Sequence, residues 1–341
     1  MKAAVFHEAG KPLSVESVAD PTPGPGEAVI RVHHCGVCGT DLHSTEQHEE
    51  SGKAIVFGHE FTGEIVALGS ETPGGWREGD RLVSLPFIGC GQCVPCATGA
   101  PWQCPTRKVI GSADLHGGFA EYVRVHLNEA VRLPDAVSWT EGALVEPLAV
   151  ALHALRRVAR GIEGRNVLVM GAGPIGLAAT LWARFLGARH VVVSELDRGR
   201  GEKALSFGAT GLVDAKGDVA EQFRAITDAT PDLILECVGV PGMIGKAIDL
   251  APFRGELVVI GFCMKPDSFL PALAMVKELT VQFVIAHEKR DFQFVVDMLA
   301  AGRIKPLSMV TDIVGFDAFP QAFEALRTPN SQCKVLLDPF A

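Results

Sequence analysis

From Val167 onward the chain is written as short, unbroken apolar runs separated by segments of helical spacing. The runs VLVMGAG, HVVVSE, TGLVDA, LILECVG, ELVVIGF and LTVQFV follow one another, with stretches such as LAATLWARFLGA between them. Runs of this length predict buried strands, and their alternation with helices predicts an α/β fold built on a parallel, doubly wound sheet. Before Pro134 the texture differs. Apolar and polar residues alternate in DPTPGPGEAVIRVHHCG and FTGEIVALGSETPGGWREGDRLVSLP, with Gly, Pro or Asp about every ten residues. That rhythm predicts a small barrel-like β domain. SWTEGALVEPLAVALHALRRV, between the two regions, has helical spacing. Near Ala286 the alternation stops, and the tail (DFQFVVDMLAAGRI, AFPQAFEALR, CKVLLD) predicts helices and a strand able to return to the first domain. The apolar stripe of VVDMLAAG and the Phe-rich AFPQAFEAL read as packing faces.

The strand from Val167 ends in Gly171, Gly173 and Gly176, a G-x-G-x-x-G turn that runs straight into a helix. Such a turn lets the backbone approach a pyrophosphate at the helix N-terminus, although glycines also serve tight turns that hold no ligand. The next strand closes on Glu195, near the offset at which an acid takes ribose hydroxyls. The combination predicts a dinucleotide site at Gly171, Gly173, Pro174, Ile175 and Gly176, with Glu195 favouring NAD over NADP. Arg198 and Arg200 lie just beyond; they either favour a 2′-phosphate or are a solvated helix start.

A length of 341 residues suits about two domains, and 48% hydrophobic with 21% charged residues is an ordinary globular balance. A net charge of −9 without a basic cluster argues against nucleic acid as a partner. No apolar run reaches membrane-span length, and the N-terminus lacks signal-peptide character, so a cytoplasmic setting is expected. Nine cysteines then call for metal binding rather than disulfides. Cys90, Cys93, Cys96 and Cys104 fall as C-x-x-C-x-x-C-x7-C, the material of a closed structural zinc site. The spacing is also loosely that of an iron–sulfur run, which has a tighter last interval. A second constellation joins Cys38 in CGVCGTDLH to His59-Glu60 in VFGHEFTG. Thiolate, imidazole and carboxylate with room for solvent make a catalytic zinc site. Taken singly, Cys38 reads as a small buried residue or half of a Cys35-x-x-Cys38 redox pair, and His59 as a satisfied histidine. Cys35, Cys237, Cys263 and Cys333, in apolar runs, read as core residues.

The ordered set CGVCGTDLH, FGHEFTGEIVALG, GDRL, the four-cysteine lobe, GGFAEYV, LVEPLAVALHAL and GAGPIG resembles the zinc-dependent medium-chain alcohol dehydrogenases. The similarity is greatest to the polyol, threonine and idonate dehydrogenase branch, and it spans essentially the whole chain. The resemblance implies that Cys38 and His59 bind catalytic zinc and that Glu60 enters or leaves its shell. It places Glu146, in an EP motif, where liver-type enzymes have a cysteine, binding zinc directly or through water. It makes Thr40 the hydroxyl that hydrogen-bonds the substrate alcohol and His43 a relay of its proton to solvent. Asp41 becomes the carboxylate that orients the histidine ligand. It implies two zinc ions per chain, NAD as hydride acceptor, a small-molecule alcohol or ketone as substrate, and a homo-oligomer, tetramer or dimer.

The expected organisation is a GroES-like β-rich catalytic domain over 1–147 and 287–341, with a zinc lobe at about 88–106. A Rossmann domain at 148–286 is inserted in it, and the active site is expected in the cleft between the two. Two alternatives stand beside the dehydrogenase. A zinc-free quinone or enone reductase of the same superfamily needs neither Cys38, His59, Glu146 nor the lobe. A non-enzymatic zinc module binding a macromolecule sits badly with the acidity and the glycine turn. For substrate contacts the candidates are His287, Glu288 and Arg290, which read equally as a charged surface helix start, and Trp102 and Phe119.

Overall fold

The computed structural model describes residues 1–47, 54–328 and 331–341. The N-terminal alternation becomes strands β1 (Lys2–Val5), β2 (Ser14–Ser17), β3 (Glu27–Gly36), β4 (Glu60–Leu68) and β5 (Arg81–Ser84). They are followed by β6 (Phe87–Ile88), β7 (Lys108–Val109), β8 (Tyr122–His126) and β9 (Ala130–Arg132). Helices α1 (Gly39–Gln47) and α2 (Val94–Ala97) lie within this stretch, and α3 (Trp139–Ala143) and α4 (Val145–Arg156) close it. The single helical segment expected around residue 145 is thus two helices. Ser138 caps α3 through a capping box with Glu141, the chain breaks at Leu144, and Glu146 falls in the first turn of α4.

β3 organises this part. Along one edge it pairs antiparallel with β4, from Ala28 opposite Leu68 to Gly36 opposite Glu60. Its other edge is shared between β8, which covers Glu27 to Arg31, and a C-terminal strand that covers Cys35 and Gly36. The register brings the end of β3 beside the start of β4, so Cys38 and His59 emerge next to each other. Gly36 is required by that closeness. A Cβ there would lie 2.2 Å from Glu60 Oε2.

The second region holds β10 (Asn166–Met170), α5 (Pro174–Phe185), β11 (His190–Glu195), α6 (Arg198–Ser206), β12 (Gly211–Asp214) and α7 (Val219–Thr227). It continues through β13 (Leu233–Glu236), α8 (Met243–Leu250), β14 (Glu256–Val259), α9 (Pro271–Val276) and β15 (Thr280–Phe283). All six predicted strands pair in parallel, in the order β12-β11-β10-β13-β14-β15. Unbroken apolar runs suit central strands covered on both faces, and Val167, Leu168, Val169, Leu233, Ile234 and Leu235 are fully buried. Strand order reverses at β10, where doubly wound sheets bind nucleotides.

The tail contributes α10 (Lys289–Ala300), β16 (Val310–Val314), α11 (Phe319–Ala325) and β17 (Lys334–Leu337). β17 is the strand that pairs with the end of β3. Phe319 and Phe323 are fully buried, as packing faces should be. The chain forms two compact units. One comprises Met1–Glu146, His287–Arg303 and Val310–Ala341, and the other Pro147–Ala286 and Ile304–Met309. Ile304–Met309, expected with the tail, therefore packs with the Rossmann unit, where Ser308 and Ser206 place their hydroxyls 3.3 Å apart. Among the described residues no helix is long and apolar enough to cross a membrane.

Candidate active site and metal centres

Cys38, His59 and Glu60 each place one donor atom within 4.8 Å of the others. They come from the turn after β3, the residue before β4 and the first residue of β4. Asp41, in the first turn of α1 and 2% exposed, binds this group together. Its Oδ2 accepts from the Cys38 backbone N–H at 3.0 Å, and its Oδ1 lies 3.2 Å from His59 Nδ1. With Nδ1 committed to Asp41, Nε2 keeps its lone pair for a ligand, the arrangement found behind metal-binding histidines. Thr40 Oγ1 lies 3.4 Å from that Nε2, so its hydroxyl sits at the same point. His43 does not join the group. It lies on α1 with its side chain 42% exposed and 3.9 Å from Glu46.

The electrostatics of the group favour a cation. Burial alone would lower His59, but the Asp41 carboxylate and the Cys38 sulfur carry it well above its ordinary value. Glu60 is raised because burial and repulsion from Glu146 outweigh the attraction of Lys334 and His59. Lys334, 1% exposed on β17, gives all three of its protons to acceptors: Val37 O at 2.9 Å and both Glu60 oxygens at 2.7 and 2.6 Å. The group mixes a soft sulfur, an imidazole nitrogen and a hard carboxylate oxygen, a donor set that suits zinc. Glu146 stands beside the three donors rather than among them. Its Oε1 lies 3.1 Å from His287 Nε2.

Cys90, Cys93, Cys96 and Cys104 also gather within 4.8 Å of one another, with Cys93 and Cys96 sulfurs 3.4 Å apart. Cys90 is exposed and Cys104 buried. Thr106 and the Cys90 backbone N–H hydrogen-bond the Cys104 sulfur and hold it down at about 6. Four sulfurs leave no position for substrate, so the set fits a structural zinc.

In the glycine turn, Gly171 has φ +96° and a Cβ on Gly176 would lie 2.0 Å from Gly171 O, so the fold itself demands both glycines. Gly173 is different. Its φ is −71°, and a Cβ there would meet no protein atom within 4 Å. The protein gives no reason for a glycine at that position, whereas a pyrophosphate on the N-terminus of α5 does. Pro174 and Ile175 open that helix. Glu195 Oε2 accepts from Ala172 N–H at 2.7 Å, and Oε1 from Leu196, Asp197 and Arg200. Burial would raise its carboxyl, but these donors hold it below the usual range. Arg200 is thus spent on Glu195, and Arg198, 93% exposed, on Glu202.

Several expectations need correction. His287 is fully buried, so it belongs to no surface helix start, while Arg290 is exposed and pairs with Glu288. Phe119 is a fully buried core ring, edge-on to Phe319 at 4.8 Å. Cys35 and Cys333 are core residues, but Cys237 is half-buried and Cys263 lies outside the strands with its thiol turned to Lys265 O. Burial pushes the Cys35 thiol well up, which speaks against a redox pair with Cys38. The sequence reading missed Lys334 and the partnership of His287 with Glu146. The one legible signal was a lysine inside the apolar run of CKVLLD.

Comparison with known proteins bears on this geometry. Residues 24–135 match the alcohol dehydrogenase GroES-like domain, and residues 174–301 match the zinc-binding dehydrogenase family. The chain is 34% identical to the (R,R)-butanediol dehydrogenase of Bacillus subtilis (strain 168), over 99% of this chain and 100% of that one. It is 29% identical to the sorbitol dehydrogenase of the same organism, over 99% and 97%. Among solved structures, an alcohol dehydrogenase (rspB) from E. coli CFT073 in complex with NADH superposes with a TM-score of 0.89 at 30% identity, covering 99% of each chain.

Proposed function

The chain belongs to the zinc-dependent medium-chain alcohol dehydrogenases, in their polyol and threonine dehydrogenase branch, and from that premise we propose that it oxidises a small polyol, vicinal diol, sugar acid or 3-hydroxy amino acid with NAD. The observation that carries this reading is the half-buried Cys38–His59–Glu60 donor group braced by Asp41. Neither a zinc-free reductase nor a macromolecule-binding module has a use for it.

Cys38 and His59 would hold the catalytic zinc, Glu60 or Glu146 would complete its shell, and Cys90, Cys93, Cys96 and Cys104 would hold a second, structural zinc. The catalytic zinc, when bound, supplies a Lewis acid that makes an alcohol hydroxyl acidic near neutral pH. The chain's own residues do the rest. Asp41 fixes the His59 ring, so the ligand lone pair needs no reorganisation. Thr40, at the ligand nitrogen of His59, would take the substrate's hydroxyl proton while giving up its own, and His43, partly exposed on α1, would carry the released proton to solvent. Gly173 and the α5 N-terminus receive the pyrophosphate. Glu195, held ionised by its four donors, selects NAD because its charge repels a 2′-phosphate. Cysteines meant for metal need a reducing compartment, which supports a cytoplasmic setting.

A homo-oligomer is part of the same reading. The edge strand β15 exposes Phe283, and beside it in sequence Leu270, Met275, Val276 and Ile285 are all more than half exposed. An unpaired apolar edge invites a second copy.

The test is NAD⁺ reduction by the purified, zinc-loaded protein across hexitols, butanediol, threonine, idonate, and simple and aromatic alcohols, with NADP⁺ in parallel. Turnover confined to one of the proposed classes, and faster with NAD⁺, is the expected result. Failure to bind NADH at all would refute the reading.

A further inference from the structure

We propose that His287 is a positioning residue that fixes the Glu146 carboxylate through Nε2, turning one oxygen away and leaving the other for the occupant of the metal group. The inference rests on the reading that Glu146 serves the catalytic zinc. His287 is fully buried, and its Nε2 lies 3.1 Å from Glu146 Oε1. The ring packs against two aromatic side chains, Phe292 with its centroid at 4.7 Å and Phe87 at 6.0 Å. Its other nitrogen, Nδ1, is buried and has no hydrogen-bond partner among the described residues.

An orphaned buried acceptor costs about 1–3 kcal/mol, so packing alone does not explain an imidazole here. A phenylalanine or leucine would pack against Phe87 and Phe292 without burying an unpaired nitrogen. The one return for that cost is the bond to Glu146. That bond also settles the tautomer: Glu146 is an acceptor when ionised, so Nε2 carries the proton and donates, and Nδ1 is the bare nitrogen.

Two elements set the geometry from opposite sides. Glu146 stands in the first turn of α4, and His287 lies just before the N-cap of α10. That cap is a reciprocal pair in which Glu288 and Asp291 satisfy each other's backbone N–H groups, which stiffens the backbone next to His287. Phe87 belongs to β6, the strand that leads into the four-thiol lobe. The lobe's hairpin therefore backs the ring that holds Glu146. This gives the lobe a mechanical connection to the chemistry without sharing a ligand with it.

The experiment compares His287→Phe, His287→Gln and Glu146→Gln in the intact protein, with zinc for kinetics and cobalt(II) for the absorption spectrum. His287→Phe keeps the ring and loses the donor. It is expected to lower kcat about 10–100-fold and alter the cobalt bands, with the melting temperature and NADH affinity unchanged. His287→Gln keeps a donor and should restore much of both. Wild-type bands and kcat in His287→Phe, alongside altered ones in Glu146→Gln, would overturn the positioning role alone. Wild-type behaviour in Glu146→Gln would overturn the placement of Glu146 at the metal, and this inference with it.

Discussion

The thiols of the lobe all come from one short loop, Cys90 to Cys104, whereas Cys38, His59 and Glu60 are brought together by the register of β3 against β4. The lobe offers four like donors, one of them exposed, and its ligand set is closed on itself. The other group offers three unlike donors set in a buried net of Asp41, Lys334, Glu146 and His287. The difference teaches how each site uses a metal. Four thiolates in one short loop repel one another, so a metal held there would contribute folding energy. The strand-register group has further ties of its own, from Asp41 to His59 and the Cys38 backbone and from Lys334 to Glu60. Fixed contacts of that kind orient ligand atoms for chemistry.

The comparison is sharpened by removing the parts that only the buried group has. Lys334→Met should have the largest effect. It leaves Glu60 buried without its cation, and breaking such a pair costs about 3–5 kcal/mol. A denaturant melt of metal-free protein should show that loss, and zinc loading should recover part of it because the metal supplies the missing positive charge. An unchanged melt would mean that Glu60 is protonated and the pair is no anchor. Asp41→Asn should act more gently. The ring of His59 loses its charged brace, and zinc affinity at this group should fall about 10–100-fold with the fold intact, read by competition with a chelator. Equal affinity in the variant would mean that the register of β3 and β4 alone places His59.

How much of this was legible in the sequence follows the same divide. The six strands of the parallel sheet were readable because a strand covered on both faces is an unbroken apolar run. The lobe was readable because its ligands are neighbours in the chain. Of the other group, Cys38, His59 and Glu60 were readable as candidates, and the resemblance gave each its role as a ligand. Lys334 and His287 escaped because each earns its place through one partner far along the chain: Glu60 for Lys334, Glu146 for His287. No local periodicity encodes that pairing. The break at Leu144 was missed for a related reason, since apolar spacing continues through it and only the Ser138–Glu141 cap marks two helices.

The most direct test of the division of labour is the zinc content of wild type, His59→Ala and Cys96→Ser, measured with turnover and melting temperature on the same preparations. The account predicts roughly two, one and one zinc per chain, since each site fits a single ion. His59→Ala should lose turnover by on the order of 10³-fold with little change in melting temperature. Cys96→Ser should melt roughly 5 °C lower, the equivalent of about 3–4 kcal/mol, while its folded fraction still turns over. A single zinc in wild type, or a Cys96→Ser protein that stays fully stable and is merely slow, would contradict it.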